Sequence, residues 1–347
     1  MKKLLRSLTA AVLMGTLVMT GCTSSSAPAD SSSGSENATE ASASADGSYD
    51  IGIIQLVEHP ALDAAREGFV KGMADNGLKE GENVTIDVQN AQNDQSNLKT
   101  IAQKFVSEDK DLVLAIATPA AQSIAAETTD IPILITAVTD PAASGLCESN
   151  EAPGGNVTGT SDLTPIKEQI ELLHQILPEA KNIAIMYNSG EQNSVIQADM
   201  AEAAAAELGI TSERKTVTNT NDVAQVTSSL VGKFDAVYIP TDNTLASSMP
   251  LVSSITNPAG LPLIVGEQGM VEGGGLASVA VSYSDLGEMT GKMAVEILVN
   301  GADPATMPIG YTENPQLIIN PTAAAELGIE IPAEVLDKAE KVDTVAQ

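Results

Sequence analysis

The sequence predicts an α/β fold made of two doubly wound parallel-sheet lobes joined by a hinge. From Tyr49 onward, short and nearly all-apolar runs alternate with longer segments of helical periodicity, a pattern typical of strands buried in a parallel sheet. The cycle restarts near residue 162, so the pattern is repeated in two halves. The segment 49–347 is also long enough to form two lobes of ordinary domain size.

The first half begins with the apolar run IGIIQLV at 51–57 and a helix at 59–77. Pro60 suits the first turn of this helix, and Asn76 with Gly77 is a typical ending. The elements predicted next, in order, are strand 84–89, helix 96–109, strand 111–117, helix 119–127, strand 131–138 and strand 156–161. This βαβα order predicts a doubly wound parallel sheet.

The second half repeats the alternation. Its predicted elements are helix 165–178, strand 182–187, helix 194–209, strand 211–217, helix 221–232, strand 234–240, helix 244–255, strand 262–266 and strand 276–282, then helix 284–301, two short strands and a C-terminal helical segment. We expect the chain to cross between the lobes near 161–164, 281–284 and 311–314. The N-terminal lobe would then comprise 49–162 plus 284–311, and the C-terminal lobe 163–283 plus 312–347.

The first 22 residues predict a secretion signal, because three basic residues precede an apolar stretch, Leu8 to Met19, that is too short to span a bilayer. LVMTGC resembles the lipobox of bacterial lipoproteins, with Cys22 as the lipidated residue carrying palmitate. An ordinary signal peptide with a chance Cys is the alternative. Residues 23–48 are rich in Ser and Ala and predict a disordered tether. We therefore expect a protein anchored by lipid at the extracytoplasmic face of the cell membrane.

Composition excludes several classes of function. The net charge of −29 argues against nucleic acid as a partner and against an anionic membrane surface bound by charge. If Cys22 carries lipid, Cys147 has no partner for an intramolecular disulfide. Two His residues make a His/Cys metal site unexpected, and no GxSxG, GxGxxG or Walker-type pattern is present. We expect no enzyme activity, no cofactor and no metal.

Candidate binding residues follow the strands, since open α/β sheets bind ligands beyond the carboxyl ends of their strands. Most of these residues are small and polar, which suits a small polar ligand with charged ends. The candidates are Gln55, Glu58, His59, Thr118, Pro119, Ala120, Thr139, Asp140, Tyr187, Asn188, Asn193, Ser194, Thr241, Asp242 and Glu267.

The stretch YNSGEQNS at 187–194 leads from an apolar strand into a helix predicted to begin near Asn193 or Ser194. Free N–H groups at a helix start can bind a carboxylate. Asp242, in the corresponding loop TDN, could pair with an ammonium group. The alternative is that these residues only cap their helices. Taken together, the two loops predict a site for a small zwitterion.

The chain resembles the ABC-transporter substrate-binding lipoproteins of the tryptophan/tyrosine-binding type, which have the type I periplasmic-binding-protein fold. The resemblance rests on IGIIQLVEHPALDAAREGFVKGM, AIATPAAQS, PILITAVTDP, GGNVTGTSD, IAIMYNSGEQNS and the C-terminal segment IINPTAAAELGIEIPAEVLDKAEKV. It covers essentially all of 49–347. It implies a monomeric, lipid-tethered receptor that delivers an amino acid, often an aromatic one, to a membrane permease driven by an ATPase.

The resemblance also implies roles for individual residues. Asn193 and Ser194 would hold the ligand carboxylate, and Asp242 would hold its ammonium group. The wall of the first lobe would come from Thr118, Pro119 and Ala120 with Thr139 and Asp140, and the side-chain pocket would be framed by Gln55, Glu58 and His59.

The small number of aromatic residues leaves the ligand open. The chain has five Tyr, three Phe and no Trp, and among these only Tyr187 is expected near the cleft. Since aromatic ligands often stack on aromatic side chains, a branched-chain amino acid or another small polar solute remains an alternative. A ligand sensor for a membrane kinase is a further alternative. A surface hydrolase would need an activated nucleophile, and the sequence shows no motif for one.

Overall fold

The computed structural model describes residues 48–345. The predicted signal peptide, Cys22 and residues 23–47 of the predicted tether lie outside the described residues. Within 48–345, no helix is both long enough and apolar enough to cross a membrane.

The first lobe is built around a five-stranded parallel sheet with strand order β2-β1-β3-β4-β5. Its elements, in chain order, are β1 (Tyr49–Gln55), α1 (Pro60–Asp75), β2 (Val84–Asn90), α2 (Gln95–Ser107), β3 (Leu112–Ile116), α3 (Thr118–Ala125), β4 (Ile133–Val138) and β5 (Val157–Ser161). In β1, Ile53 pairs with Val88 of β2 and with Leu114 of β3. The β3 and β4 side chains are all buried, as their apolar runs predict.

The second lobe contains a seven-stranded sheet with order β12-β11-β10-β9-β8-β6-β7, in which β11 alone runs antiparallel to a neighbour, β10. The elements after β5 are α4 (Ile166–Ile176), β6 (Asn182–Asn188), α5 (Gln192–Glu207), β7 (Thr211–Val217), α6 (Thr220–Leu230), β8 (Ala236–Ile239), α7 (Asn243–Ala246), α8 (Met249–Thr256), β9 (Leu263–Val265), α9 (Gln268–Glu272), β10 (Ala277–Ala280), α10 (Tyr283–Leu298), a short 3-10 helix (Pro304–Thr306), β11 (Gln316–Ile319), α11 (Pro321–Leu327), α12 (Ala333–Leu336) and β12 (Glu340–Lys341).

The chain passes between the two sheets three times: between β5 and α4, between β10 and α10, and before β11. Beyond the second crossing, α10 packs against α1 of the first lobe. Before the third crossing, Gly310 N donates to Gly159 O at 2.8 Å, which holds residues 309–310 beside β5. The first lobe therefore combines two separate stretches of chain. The exact lobe boundaries given above stay a prediction.

The contact between α1 and α10 depends on glycine. Gly68 and Gly72 of α1 face the backbone of α10, and Gly287 and Gly291 of α10 face the backbone of α1. A Cβ atom at any of these four positions would overlap with a backbone oxygen of the other helix. The absence of side chains therefore allows the two helix backbones to touch.

The second lobe has a hydrophobic cluster on each face of its sheet. Ile183, Ile185 and Tyr187 of β6 join one cluster, and Ala184 and Met186 join the other. This division follows from the alternation of side chains along a strand. It determines where Tyr187 points, which is relevant to the site.

Three local features differ from the sequence-based prediction. The helix predicted at 244–255 is two helices, α7 and α8, with Pro250 in the first turn of the second, where its missing N–H is tolerated. The short helix α9 was not predicted. Finally, α5 begins at Gln192 with Glu191 as its N-cap residue, earlier than the predicted start at Asn193 or Ser194.

Candidate functional site

A small cavity lies between the lobes, beyond the carboxyl ends of the strands. The first lobe and the crossings contribute His59, Ala137, Asp162 and Tyr283, and the second lobe contributes Asn193, Thr241, Asp242, Asn243, Ala246 and Glu267. The cavity therefore has walls from both lobes. Of the predicted binding residues, five line it: His59, Asn193, Thr241, Asp242 and Glu267.

Hydrogen bonds join the lobes around this cavity, so the structure is a closed form. The bonds run from Asn93 Nδ2 to Thr244 Oγ1 (3.0 Å), from Gln122 Nε2 to Gln192 Oε1 (3.0 Å), from Gln192 Nε2 to Ala143 O (2.9 Å), from Gln197 Nε2 to Thr139 Oγ1 (3.3 Å) and between His59 Nε2 and Asn243 Oδ1 (3.3 Å).

Three carboxyl groups line the cavity, those of Asp162, Asp242 and Glu267, whereas none of the described lining residues is Lys or Arg. Burial raises the pKa of Asp242 to about 8, and the neighbouring carboxyl of Glu191 adds to the effect. Burial likewise raises the pKa of Glu267 to about 7 and raises that of Asp162. A cation brought into this cavity would stabilise the ionised acids.

The Asp242 carboxylate is bound mainly by its own lobe. Its Oδ2 accepts hydrogen bonds from Asn188 N (2.6 Å) and Ser194 Oγ (2.7 Å), and its Oδ1 accepts one from Leu245 N (2.8 Å) at the start of α7. Asp242 therefore serves as a helix cap, which was one of the two readings of the loop TDN. Ser194, predicted to hold the ligand carboxylate, donates its hydroxyl to Asp242 and its N–H to Glu191 O in this structure.

Three other lining residues each carry a buried atom without a hydrogen-bond partner among the described residues: His59 Nδ1, Asn193 Oδ1 and Glu267 Oε1. Asn193 Nδ2 donates to Thr241 O at 3.0 Å, which leaves Oδ1 as an acceptor. Glu267 Oε2 accepts from Gly269 N at 2.8 Å, which leaves Oε1. Unpaired buried polar atoms are costly, so each indicates a missing donor.

The unpaired nitrogen of His59 is also an acceptor. Asn243 Nδ2 donates to Glu191, so Asn243 presents its Oδ1 to the imidazole and can only accept there. His59 Nε2 must then carry the proton. Burial lowers the pKa of His59 to about 4, so the ring is neutral near pH 7 and Nδ1 holds a lone pair. His59 Nδ1 and Asn193 Oδ1 thus need a hydrogen-bond donor, and so does Glu267 Oε1 when its carboxyl is ionised.

The aromatic ring in the cavity wall is that of Tyr283, and not that of Tyr187 as predicted. Tyr283 Oη donates to Asp162 Oδ2 at 2.6 Å. Tyr187 belongs to the hydrophobic core beside α5, because it shares a face of β6 with Ile183 and Ile185. Its hydroxyl accepts a hydrogen bond from Arg214 instead.

Several predicted residues of the first lobe lie away from the cavity. Gln55 is fully buried, where it accepts from Arg66 and donates to Asp63, so its amide is used within the lobe. Glu58 is exposed. Asp140 accepts hydrogen bonds from Ala143 N and Asn150 Nδ2, which stabilise its own loop.

The remaining predicted residues surround the cavity at a greater distance. Thr139 Oγ1 donates to Asp162 Oδ1 at 3.1 Å and so supports a lining residue. Thr118 and Ala120 are buried at the start of α3, and the Thr118 hydroxyl has no partner among the described residues. Pro119 and Asn188 line a wider outer groove between the lobes, of about 1250 Å³.

Four lining residues lie outside the loops singled out in the sequence: Ala137, Asp162, Ala246 and Tyr283. A fifth, Asn243, belongs to the loop TDN but was not among the candidate binding residues. Asp162 directly follows β5, and Tyr283 begins α10. Both residues lie within the crossings predicted at 161–164 and 281–284, so the predicted crossings could have indicated them as lining residues. Ala137 has a φ of 56°, in the left-handed region, and nothing in a single Ala indicates that conformation.

Comparison with known proteins identifies the family. Residues 50–343 match the profile of the family described as ABC transporter substrate binding protein. The chain belongs to this family. It has the two parallel-sheet lobes of the type I periplasmic-binding-protein fold.

A tyrosine-binding protein of Clostridioides difficile (strain R20291) is 43% identical over 321 residues, which cover 92% of this chain and 90% of that protein. A Streptococcus pneumoniae ABC domain in complex with L-Trp superposes with a TM-score of 0.83 at 41% identity, covering 85% of this chain and all of that one. A ligand-free, open substrate-binding protein with adhesive properties from Clostridium difficile is 48% identical, covers 86% of this chain and all of that one, and gives a TM-score of 0.66.

The two structural matches differ in the arrangement of their lobes, because one is a complex with L-Trp and the other is ligand-free and open. The open protein is the more similar in sequence, yet the L-Trp complex superposes better. The arrangement of the lobes therefore resembles the L-Trp complex more than the open form. This agrees with the hydrogen bonds that join the lobes around the cavity.

Proposed function

We propose that this protein is the extracytoplasmic receptor of an ABC importer and captures an aromatic amino acid, L-tyrosine, L-tryptophan or L-phenylalanine, between its lobes. It would deliver the amino acid unchanged to a membrane permease driven by an ATPase. Support comes from the family, from relatives described as tyrosine-binding or in complex with L-Trp, and from the acceptor-lined cavity.

The observation that carries this proposal is the set of three unpaired acceptors in one cavity: His59 Nδ1, Asn193 Oδ1 and Glu267 Oε1. An ammonium group has three N–H donors and no acceptor. The α-ammonium group of an amino acid would satisfy all three atoms, and Glu267 would supply the opposite charge. This assignment replaces the earlier one, in which Asp242 held the ammonium group and Asn193 the carboxylate.

The remaining parts of the amino acid would meet other walls. Tyr283 offers an aromatic ring, and Ala137 and Ala246 are small enough to leave room for a large side chain. The carboxylate would lie towards the start of α3, where the Thr118 hydroxyl and the first helical N–H groups are free of intrahelical partners. The first-lobe wall of Thr118, Pro119 and Ala120 thus stays a prediction.

Closure would occur by bending at the three crossings, with 49–162 plus 284–311 moving against 163–283 plus 312–347. The ligand contacts both lobes only in the closed form, so its binding energy would shift the population towards closure. The protein would act as a monomer, anchored through lipid on Cys22 and held off the membrane by the tether 23–48. These statements rest on the sequence motif and on the family.

The test measures the binding of a panel of amino acids to the chain from Ser48 onward, which carries both lobes. The whole of the Streptococcus domain is covered by its match to this chain. We expect L-tyrosine, L-tryptophan or L-phenylalanine to raise the melting temperature and to bind at micromolar concentration or below in calorimetry, since a ligand that binds only the native state must stabilise it.

N-Acetyl-L-tyrosine is the matched control, because it keeps the ring and the carboxylate but lacks the ammonium group. It should bind at least about a hundredfold more weakly than L-tyrosine. L-Leucine tests the branched-chain alternative. The proposal is wrong if none of the three aromatic amino acids binds below millimolar concentration, or if the acetylated compound binds equally well.

A further inference from the structure

Glu267 lies between the cavity and a second groove, which we call the hinge-side groove. This groove runs between the start of α1, helix α9 and the second crossing, and its lining includes Pro60, Gly269, Glu272 and Ser282. Glu267 and Tyr283 line both spaces. Glu267 is thus buried between the two spaces, with the groove on one side and the cavity on the other.

No basic side chain lines either space, within the described part of the chain. The titratable groups that face Glu267 are Glu272 on its own helix, Asp162 after β5, Tyr283 on α10, Asp242 before α7 and the neutral His59 before α1. An ionised Glu267 in the closed form is therefore buried beside acids and has no cation. Such a carboxylate must acquire either a proton or a cationic ligand.

We propose that a proton and the ligand's ammonium group compete for Glu267, so that capture of the amino acid releases one proton and acid favours closure without an amino acid. This inference rests on the proposed function for the identity of the ligand. The proton leaves Glu267 Oε1 for water or buffer in the hinge-side groove. The ammonium group keeps its three protons and donates one hydrogen bond to the carboxylate that remains.

The two competitors act on the same atom. Oε2 is already bound by Gly269 N, so Oε1 is the position that either a proton or an ammonium N–H would occupy. The burial that raises the pKa of Glu267 to about 7 in the closed form places this competition near neutral pH. In an open form the carboxyl would be hydrated, and its pKa would return towards the ordinary value.

The sign follows from this difference. Because the closed form without ligand has the higher pKa, it binds more protons than the open form between about pH 5 and pH 7. Lowering the pH through this range therefore favours closure without ligand. Over the same range, affinity for the amino acid falls, by at most about tenfold per pH unit for one competing proton.

The first experiment needs no ligand. Small-angle X-ray scattering on the chain from Ser48 onward should give a smaller radius of gyration at pH 5.5 than at pH 8. Glu267→Gln mimics the protonated carboxyl, and it should be compact at both pH values. Glu179→Gln removes an exposed carboxylate of the second lobe that lines neither space and should behave as the unsubstituted protein does.

The second experiment measures calorimetric affinity for L-tyrosine and L-tryptophan between pH 5.5 and pH 7.5. The unsubstituted protein should bind more weakly as the pH falls. The protons released per amino acid, read from the heat in buffers of different ionisation enthalpy, should rise towards one as the pH falls from 7.5 to 5.5. Glu267→Gln should bind more weakly at pH 7.5 and lose most of the pH dependence. Asp242→Asn removes the other buried acid of the second lobe. The affinity of this variant for the amino acid should still depend on pH.

The outcomes distinguish this inference from the proposed function. If the radius of gyration does not change with pH, or if Glu267→Gln shows the same change as the unsubstituted protein, the competition is wrong whether or not amino acids bind. If no amino acid binds but the pH-dependent compaction disappears in Glu267→Gln, the proposed ligand is wrong and the role of Glu267 in closure stands.

Discussion

Asp162, which directly follows β5, and Tyr283, which begins α10, are joined by a hydrogen bond of 2.6 Å from the tyrosine hydroxyl to Oδ2 of the carboxyl group. Burial raises the pKa of both groups, so the bond lies in a site that excludes water. It connects two hinge segments at the wall of the cavity. A ligand that touches either residue would therefore act on both segments.

Tyr283→Phe removes this hydroxyl and leaves Asp162 Oδ2 without its donor. We expect a loss of about 1.5–3 kcal/mol in the free energy of unfolding, because the bond is buried and its acceptor is a carboxyl group. Urea denaturation followed by circular dichroism measures the change. Tyr311→Phe is the control, since Tyr311 is 44% exposed and should change stability by less than about 0.5 kcal/mol. Equal effects of the two substitutions would contradict the structural role given to Tyr283.

Asn193→Ala tests the acceptor set directly. Asn193 Oδ1 is buried and unpaired, so its loss would leave one ammonium N–H without an acceptor. Affinity for L-tyrosine should fall by about ten- to a hundredfold, which corresponds to about 1–3 kcal/mol. Calorimetry measures the affinity, and Asn300→Ala serves as the control, because Asn300 lies in the exposed turn after α10. An unchanged affinity would remove Asn193 from the site.

Gly269→Ala tests closure. A Cβ atom on Gly269 of the second lobe would lie 3.1 Å from Pro60 Cβ of the first lobe and 3.1 Å from Glu267 Oε2, both closer than ordinary van der Waals contact. Only the closed form brings these residues together, so affinity for the amino acid should weaken several-fold while stability without ligand changes little. Gly155→Ala is a matched control, because nothing lies within 4 Å of its Cβ position and its φ is not in the left-handed region. Wild-type affinity in Gly269→Ala would mean that the two lobes do not meet there.

Gly72→Ala and Gly291→Ala test the contact between α1 and α10. Each added Cβ would overlap with a backbone oxygen of the opposite helix, so the helices must separate. We expect each substitution to cost about 1–3 kcal/mol of the free energy of unfolding, or more where the backbone cannot move. Thermal denaturation checks this, again with Gly155→Ala for comparison. Native stability in both variants would show that the helices are not in direct backbone contact.

The stability of the closed form without ligand should also depend on pH. The pKa values of Glu267 and Asp242, about 7 and about 8, exceed those of the unfolded chain, so their contribution is present at low pH and is lost as the pH rises through 7 and 8. The melting temperature should therefore decrease from pH 6 to pH 8.5, and less steeply in Glu267→Gln. Saturating L-tyrosine should reduce the decrease, because its ammonium group compensates the ionised carboxylate. A melting temperature that rises over this range would contradict the assignment.

Sequence patterns predicted most of the fold because apolar runs and helix-ending residues are local signals. The runs at 112–116 and 133–138 are buried strands as expected. The division between α7 and α8 was missed because the helical periodicity of 244–255 continues across Ser247 and Ser248, although Pro250 marks a new first turn. Propensity alone does not show whether a Pro near the middle of such a segment begins a second helix.

The site was less predictable, because its residues depend on the direction of single side chains. Tyr187 and Asn188 are neighbours on one strand, yet one joins the core and the other lines the outer groove. Ser194 lies at the predicted helix start, but its hydroxyl donates to Asp242, a partner 48 residues away. Such long-range pairs are not encoded in any local pattern. Five of the residues predicted from the loops after the strands line the cavity, and the contacts made by their side chains needed the structure.

The glycine contact between α1 and α10 also constrains the order in which the chain can fold. Residues that complete the first lobe are synthesised only after nearly the whole second lobe, since α10 begins at Tyr283. Until then, the bare face of α1 has no partner, and the apolar residues beneath it remain exposed to solvent. Contacts this distant in sequence form slowly. A chain truncated before Tyr283 should therefore be a substrate for chaperones and proteases rather than a working half-receptor.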